Sequence, residues 1–477
     1  MSFDLAAAAR REMIERGFQP DLPREAVQQA EGLTTHTEAG IQDLTGLLWS
    51  SIDNDDSRDL DQIEWAERVD GGIRVLVAIA DVDALVARGT PIDAHAEHET
   101  TTVYTGIRTF PMLPERLSTD LTSLNEQQVR PAIVIEMLVK ADGSLAGSSV
   151  YRAQVRNRAQ LTYSAIGPWL EGTAAPPAKI AASPDLTAQL QLQNEAAHAF
   201  REARARLGAL TFDRQETQAV VENGHVKGIQ ANRSNRASRL IEDFMIGANE
   251  VMARTLRAGG ITAIRRVVKA PERWQRIVDL AAQYGQSLPP DPDALALNGF
   301  LTNRKHSDPA HYPDISLAVL KLMGPGEYVA ARAGAEQDGH FGLAAQDYTH
   351  STAPNRRFAD LVTQRLLKAL IAKASPPYPD DRLDAIARAC TLMEDAARKV
   401  QRDMSKRIAA VAVQNRVGAS FPAVVTGVTN KGVFVRVADP PVEGRLMHGE
   451  QGLDVGDRVN VKLLATDPER GFIDFGR

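Results

Sequence analysis

The sequence predicts a multidomain α+β protein: a short helical N-terminal module, a large mixed α/β domain and a five-stranded OB-like barrel at the C-terminus. Three observations carry this expectation. A length of 477 residues gives a prior of roughly two to four domains. Ala-rich, helix-forming sequence at the start gives way to interleaved apolar runs of strand and helix length. The last sixty or so residues hold five short strand-like segments separated by turn signals, which suits a small closed barrel.

In chain order, Leu5 to about Gly32 reads as two short helices broken at Gly17–Pro23, a packing hairpin or part of a helix-turn-helix module. Gly72–Ala87 begins as a strand after the turn signal Asp70-Gly71-Gly72, and Pro131–Val139 and Thr217–Val226 read as further strands. Glu195–Leu207 and Arg236–Arg257 read as helices, and a long helix runs from Asp384 to about Val413. Gly172–Pro184, Ser287–Pro292 and Ala374–Asp381 are loop-like breaks inside the large domain. The barrel strands are Phe421–Val428, Gly432–Val437, Gly444–His448, Arg458–Leu464 and Phe472–Phe475, with a hairpin at Asn430-Lys431-Gly432.

Composition narrows the function classes. Cys390 is the only cysteine, which rules out an intrachain disulfide and a cysteine-based zinc site and suits a reducing cytoplasm. The first eleven residues hold no apolar stretch of signal-peptide length, and the best apolar run, Ile73–Ala87, is broken by Asp81 and Asp83; no membrane association is expected. A net charge of −6 argues mildly against a general nucleic-acid binder, so local clusters matter more: Arg201, Arg204 and Arg206; Arg233, Arg236 and Arg239; Arg356, Arg357 and Arg365. Each cluster is either a solvated helix face or a phosphate-facing patch. His95 and His98 do not form a zincin pattern and are expected on an exposed helix face. No phosphate-binding or dinucleotide glycine loop is present, so no nucleotide cofactor is expected.

The densest chemical signal is Ser51–Glu64, with aspartates at 53, 55, 56, 59 and 61. Carboxylates this close repel one another unless a cation or a basic side chain neutralises them. Hard oxygen donors suit Mg²⁺, with Mn²⁺ as the alternative. Asp59 and Asp61, two apart, point the same way in an extended stretch. A polar surface loop is the bland alternative; the flanking Ile52, Leu60 and Ile63 argue for partial burial. An EF-hand starting at Asp53 fails at its sixth position, where Arg58 replaces the glycine of the sharp turn, and lacks an exiting helix.

Asp53, five residues, Asp59, Leu60 and Asp61 resemble the signature of the ribonuclease II family, the RNB catalytic domain. Gln62 departs from it, since the family usually has a further aspartate there. Three more stretches resemble the family in the same order: Tyr104 with Phe110–Pro114 and Leu117-Ser118; Arg239–Asn249; and Tyr348–Leu361 followed by Arg365. Residues 416–477 resemble an S1 RNA-binding domain, with Gly432–Val435, Gly444–His448 and Gly456-Asp457 as landmarks. The expected division is a helical module over 1–45, an RNB domain over 46–415 and the S1 barrel over 416–477. The first 45 residues are too few for the cold-shock domains that many members carry, so RNA is expected to be clamped differently, with the helical hairpin as one candidate.

The resemblance implies a metal-dependent 3′-to-5′ exoribonuclease that releases nucleoside 5′-monophosphates from single-stranded RNA. It implies Asp53, Asp59 and Asp61 for metal and water positioning, with Gln62 as a weaker ligand, and Asp61 as the most critical carboxylate. Arg356 is expected on the scissile phosphate; an ion pair with Asp360 suits Arg357 or Arg365 better. Tyr104, Phe212 and Tyr163 are the implied base-contacting aromatics, each with core packing as the alternative. Glu242 contacts the terminal nucleotide or else serves a cap or core network. On the barrel, Phe421, Phe434 and His448 are candidate stacking faces, and Lys431, Arg436 and Lys462 candidate phosphate contacts. Gln62, together with Gln401 where the family has a glutamate, motivates the rival expectation of a non-catalytic RNA-binding regulator on a decayed nuclease domain. The aspartates and Arg356 weigh against it.

Overall fold

A computed structural model describes residues 3–35, 38, 40–212, 215–222, 225–309, 311–335, 338–430 and 432–477. For 215–218, 222, 225 and 231–233 it describes the backbone. Lys431, one of the expected phosphate contacts, lies outside the described residues.

The chain opens with helices α1 (Leu5–Glu15) and α2 (Arg24–Gly32), and the Asp4 side chain caps α1 by accepting from the Ala7 N–H at 2.9 Å. A six-stranded sheet follows, built from β1 (Gln42–Asp43), β2 (Trp49–Asp53), β3 (Gln62–Val69) and β4 (Gly72–Ala80). After α3 (Pro91–Glu99) and the small hairpin β5 (Val103–Tyr104) and β6 (Thr109–Phe110), it is completed by β7 (Val129–Val139) and β8 (Leu145–Thr162). The order is β1-β8-β2-β3-β4-β7, with β7 also paired to β8. The length of β8 makes this work: residues 145–156 pair with β7 and 157–162 with β2, so the sheet curls round on itself.

Helices α4 (Tyr163–Leu170), α5 (Ala178–Ala181) and α6 (Pro184–Arg206) come next, then the hairpin β9 (Gln215–Glu222) and β10 (His225–Arg233), then α7 (Arg236–Ala258). The stretch Thr217–Val226, read from sequence as one strand, is therefore parts of two. The break at Gly172–Pro184 contains the short α5. Strand β11 (Ala263–Val267) leads into α8 (Trp274–Gln283), α9 (Ala294–Ser307) and α10 (Tyr312–Leu322), which pack round a core of their own including Trp274, Phe300 and Tyr312. Strand β12 (Glu327–Ala331) returns to β11, and α11 (Phe358–Ile371) and the 34-residue α12 (Asp380–Val413) follow.

The main core joins the curled sheet to α6, α7 and α11, where Trp49, Ile52, Phe244 and Phe358 are almost wholly buried. At about 25 cal/mol per Å² of apolar surface removed from water, a core of this size needs no covalent staples. The C-terminus is a closed barrel, β13 (Ser420–Thr429), β14 (Gly432–Val437), β15 (Val442–His448), β16 (Arg458–Asp467) and β17 (Phe472–Gly476) in the order β13-β14-β15-β17-β16. Phe421 lies inside this barrel with Val435 and Phe475, so it is a core residue and not a stacking face. His95 is likewise buried in α3, contrary to the expected exposed position, and burial pushes its imidazole down to about 4. Among the described residues no helix is long and apolar enough to cross a membrane.

Candidate functional site: carboxylates at the ends of paired strands

Strand β2 ends at Asp53 and β3 begins one residue after Asp61, so the loop 54–60 returns the chain to where it left the sheet. Leu60, 1% exposed, anchors the return; its N–H donates to Ser123 Oγ at 2.9 Å and its carbonyl accepts from the Leu124 N–H at 2.9 Å. Asp61 leads into a strand and not a helix, which disposes of the EF-hand alternative.

The carboxyl of Asp61 is 2% exposed and accepts from the Asn355 N–H at 3.1 Å and from Arg356 Nε at 3.4 Å. Burial pushes it up to about 7, with Arg356 opposing the shift and the charge of Asp59 adding to it. Asp53 is also raised above the usual carboxylate range, chiefly by burial, although its Oδ1 accepts from the Asn54 N–H at 2.7 Å and from Ser57 Oγ at 3.0 Å. Asp59 faces Tyr104, whose hydroxyl donates to Asp59 Oδ2 at 3.2 Å. Tyr104 is 43% exposed, so the core-packing alternative does not hold for it. Arg357 pairs with Asp360 through two hydrogen bonds of 2.7 and 2.8 Å, whereas Arg365 pairs with Asp83 and Asp93; that leaves Arg356 alone of the three beside Asp61.

These are hard oxygen donors, and a divalent cation would relieve the raised proton affinities of Asp53 and Asp61, so the donor chemistry fits Mg²⁺ or Mn²⁺. Among the described residues no three His, Cys, Asp or Glu side chains stand close enough to hold an ion unaided. That is compatible with Mg²⁺, which commonly takes one or two carboxylates and completes its shell with water and substrate phosphate. Gln62 is 7% exposed at the start of β3.

A cavity of about 1770 Å³ opens beside the loop, lined by Asp55, Asp56, Tyr163, Phe212, Glu242 and Arg436 among others. Tyr163 is held there by its backbone: the Asn235 side chain, which caps α7 through Ser238, donates to the Tyr163 carbonyl at 2.8 Å. Gly167 permits this approach, since a Cβ there would stand 2.3 Å from Asn235 Cγ. Glu242 is exposed in the cavity wall, which removes the cap and core alternatives for it. Arg201 and Arg204 also line the cavity, but both are paired with the buried Asp243. From the barrel, Arg436 reaches the cavity and pairs with Asp314 of α10 at 2.6 Å. Phe434, half-buried, and His448 and Lys462, exposed, are outside its lining.

Two groups escaped the sequence reading. The Asn355 backbone N–H is invisible as a side-chain type, although it sits inside the Tyr348–Leu361 stretch. Glu64 is fully buried on β3, neither carboxyl oxygen has a hydrogen-bond partner, and burial and then the charge of Asp53 raise it well above the usual carboxylate range.

A mixed sheet bearing clustered carboxylates at its strand ends, a facing arginine and an OB-type barrel define a two-part architecture. The chain belongs to the RNB domain family: the RNB domain profile matches residues 41–373, and that of the RNase II-type exonuclease C-terminal S1 domain matches 419–477. It is similar to Ribonuclease R of Escherichia coli (strain K12), 30% identical over 498 residues, covering 95% of this chain and 60% of the relative. It is also similar to Exoribonuclease 2 of Edwardsiella piscicida, 31% identical over 431 residues, covering 88% of this chain and 64% of that protein. The chain thus spans about 60% of the length of the curated relatives it matches. In fold it is similar to Mycoplasma genitalium RNase R in complex with ribose methylated single-stranded RNA, with a TM-score of 0.89 at 23% identity over 99% of this chain and 78% of that one. Yeast Ssd1, a pseudonuclease, shares the fold with a TM-score of 0.76 at 17% identity over 98% and 57% of the two chains.

Proposed function

We propose that the protein is a metal-dependent 3′-to-5′ exoribonuclease that hydrolyses single-stranded RNA to nucleoside 5′-monophosphates, with a helical module over 1–45, a catalytic domain over 46–415 and an RNA-binding barrel over 416–477. The observation that carries this reading is the buried Asp61 carboxyl, held between the Asn355 N–H and Arg356 beside the Asp59–Tyr104 pair. Relatives named Ribonuclease R and Exoribonuclease 2 support it.

Asp53, Asp59 and Asp61 would hold the cation, with Gln62 a weaker donor. A bound divalent cation supplies a nucleophilic water near neutral pH and offsets charge on the phosphate. Arg356 donates to a non-bridging phosphate oxygen and stabilises the charge that develops there. Its tie to Asp61 fixes the guanidinium before substrate arrives. Tyr104 offers a face to the terminal base while its hydroxyl holds Asp59, and Tyr163 and Phe212 offer faces along the cavity. Phe434, His448 and Glu242 complete the RNA contacts in this reading. With Cys390 as its only cysteine, the protein suits action in a reducing cytoplasm.

The test is uniformly labelled single-stranded RNA with Mg²⁺, wild type against Asp61→Asn. Mononucleotide release by the wild type alone is the expected result. Binding without cleavage by both proteins would sink the reading and favour the non-catalytic regulator that Gln62 and Gln401 motivate.

A further inference from the structure

The first helix shares an apolar cluster with the hairpin that carries the residue proposed to stack the terminal base. Leu5, Ala8, Ala9 and Met13 of α1, with Phe18 just after it, are buried in one apolar cluster with Val103 and Phe110 of the β5–β6 hairpin. Val400, Met404 and Ile408 of α12 complete that cluster. In the hairpin, Val103 pairs with Phe110 and Tyr104 with Thr109. Neighbouring strand residues face opposite ways, so burying Val103 in the cluster it shares with α1 and α12 turns Tyr104 outward to Asp59.

A second tie runs through the backbone. The Gln19 N–H, one residue beyond Phe18, donates to Glu99 Oε1 at 2.8 Å, and Glu99 is 3% exposed at the end of α3. Thr100 then takes a left-handed φ of 55°, a conformation that a β-branched residue adopts only when its surroundings impose it. The chain leaves Thr100 as an extended segment laced to the arginine: the Thr100 carbonyl accepts from the Phe358 N–H at 2.8 Å, and the Thr102 N–H donates to the Arg356 carbonyl at 3.0 Å. One segment, 99–104, thus connects the first helix to Arg356, Tyr104 and Asp59. The helix is itself fixed to α12 by Glu12–Arg407 at 2.8 Å and Arg16–Asp403 at 3.1 Å.

We propose that α1 and Phe18-Gln19 are a positioning element that sets where Tyr104 stacks relative to Asp59, Asp61 and Arg356, and so how short an RNA the site can still hold. This rests on the exoribonuclease reading above. Phe18 and Met13 touch no reacting atom; they act through the apolar cluster in which Val103 is seated. A shift of about 1 Å in a positioning group can cost about a hundredfold in rate, and the loss should fall on short substrates, which have the fewest other contacts.

The experiment digests a 5′-labelled single-stranded RNA with the full chain, comparing wild type, Phe18→Ala, Phe18→Leu, Ile14→Ala and Tyr104→Ala. Phe18→Ala is expected to shift the resistant end product to greater length, as Tyr104→Ala does, and to lower kcat/KM about ten- to a hundredfold on RNAs near that length. Initial rates on long RNA should change less than about threefold. Phe18→Leu should restore the short product, and Ile14→Ala, 50% exposed on the same helix, should behave as wild type. If Phe18→Ala does not fold, Val103→Ala opens the same cluster from the hairpin side and should give the same lengthening. An unchanged end product in folded Phe18→Ala or Val103→Ala overturns the proposal, as does a uniform loss on long and short RNA alike. Absence of any RNA shortening by the wild type would instead overturn the functional reading beneath it.

Discussion

Replacing Asp61 by asparagine is expected to remove activity and, in the metal-free protein, to increase stability at alkaline pH. Its carboxyl ordinarily titrates at 3.8 but is pushed up to about 7 in the fold. Burial is the main cause, and the Asn355 N–H and Arg356 oppose it without cancelling it. The folded chain therefore keeps the Asp61 proton to a higher pH than the unfolded chain. Through that window the folded state binds more protons, so stability falls as pH rises and stays low above the upper value. At about 1.4 kcal/mol per pH unit, the interval from 3.8 to about 7 amounts to about 4 kcal/mol. Roughly 2–3 kcal/mol of it lies between pH 5 and pH 8. Asparagine keeps the shape and never ionises. Denaturant unfolding in EDTA should show the stability of Asp61→Asn relative to wild type rising by roughly that amount between pH 5 and pH 8. Mg²⁺ at pH 8 should narrow the gap, because a cation that binds the folded state stabilises the wild type more. A difference that is flat from pH 5 to pH 8, or that moves the other way, would refute the account of Asp61 as a carboxyl whose charge is costly without a cation.

Arg356→Lys is expected to lower kcat by about a hundredfold or more while RNA binding changes little, since a lysine keeps the charge but loses the planar fork; single-turnover rates and filter binding separate the two. Asp243→Ala should destabilise the fold by about 3–5 kcal/mol, because it leaves Arg201 and Arg204 facing a buried gap. Denaturant unfolding checks this, and a loss below about 1 kcal/mol would show that the two arginines find water instead.

The barrel was legible strand by strand because each strand is short, alternates and is bounded by turn residues. The same alternation, Phe421, Ala423 and Val425 all inward, also holds the information that Phe421 is core. For His95 the signal was there too: Ile92, His95, Ala96 and Glu99 repeat at helical spacing and are all buried. Thr217–Val226 reads as one strand by its apolar content, yet the sequence holds Asn223-Gly224, a strong turn dipeptide. What no local pattern could supply are the long-range meetings: Asn355 with Asp61, Tyr104 with Asp59, and the first helix with the hairpin that carries Tyr104. Each joins residues brought together by the curl of the sheet and the course of α12, which depend on the whole fold.

The spacing of the aspartates has a structural cause. Ser50 of β2 pairs with Glu64 of β3, and the Ala80 N–H donating to the Asp61 carbonyl at 2.9 Å carries the β3–β4 ladder one residue beyond the strand. Counted along this antiparallel register, Asp53 falls opposite Asp61. The loop between them must close at that pair, and Leu60 fixes the closure by burying itself, which sends its neighbours Asp59 and Asp61 the other way. An apolar residue between two aspartates is thus what aims both carboxylates together. By the same alternation Gln62 and Glu64 lie on the Leu60 side, Gln62 neutral by nature and Glu64 raised well above the usual carboxylate range by burial. An ionised carboxylate at 62 would add another charge to a site where Asp53 and Asp61 are already raised by burial. Glutamine at 62 keeps that further charge out of the site. The departure from the family pattern is therefore a change in the electrostatic load on the site that leaves Asp53, Asp59, Asp61 and Arg356 in place.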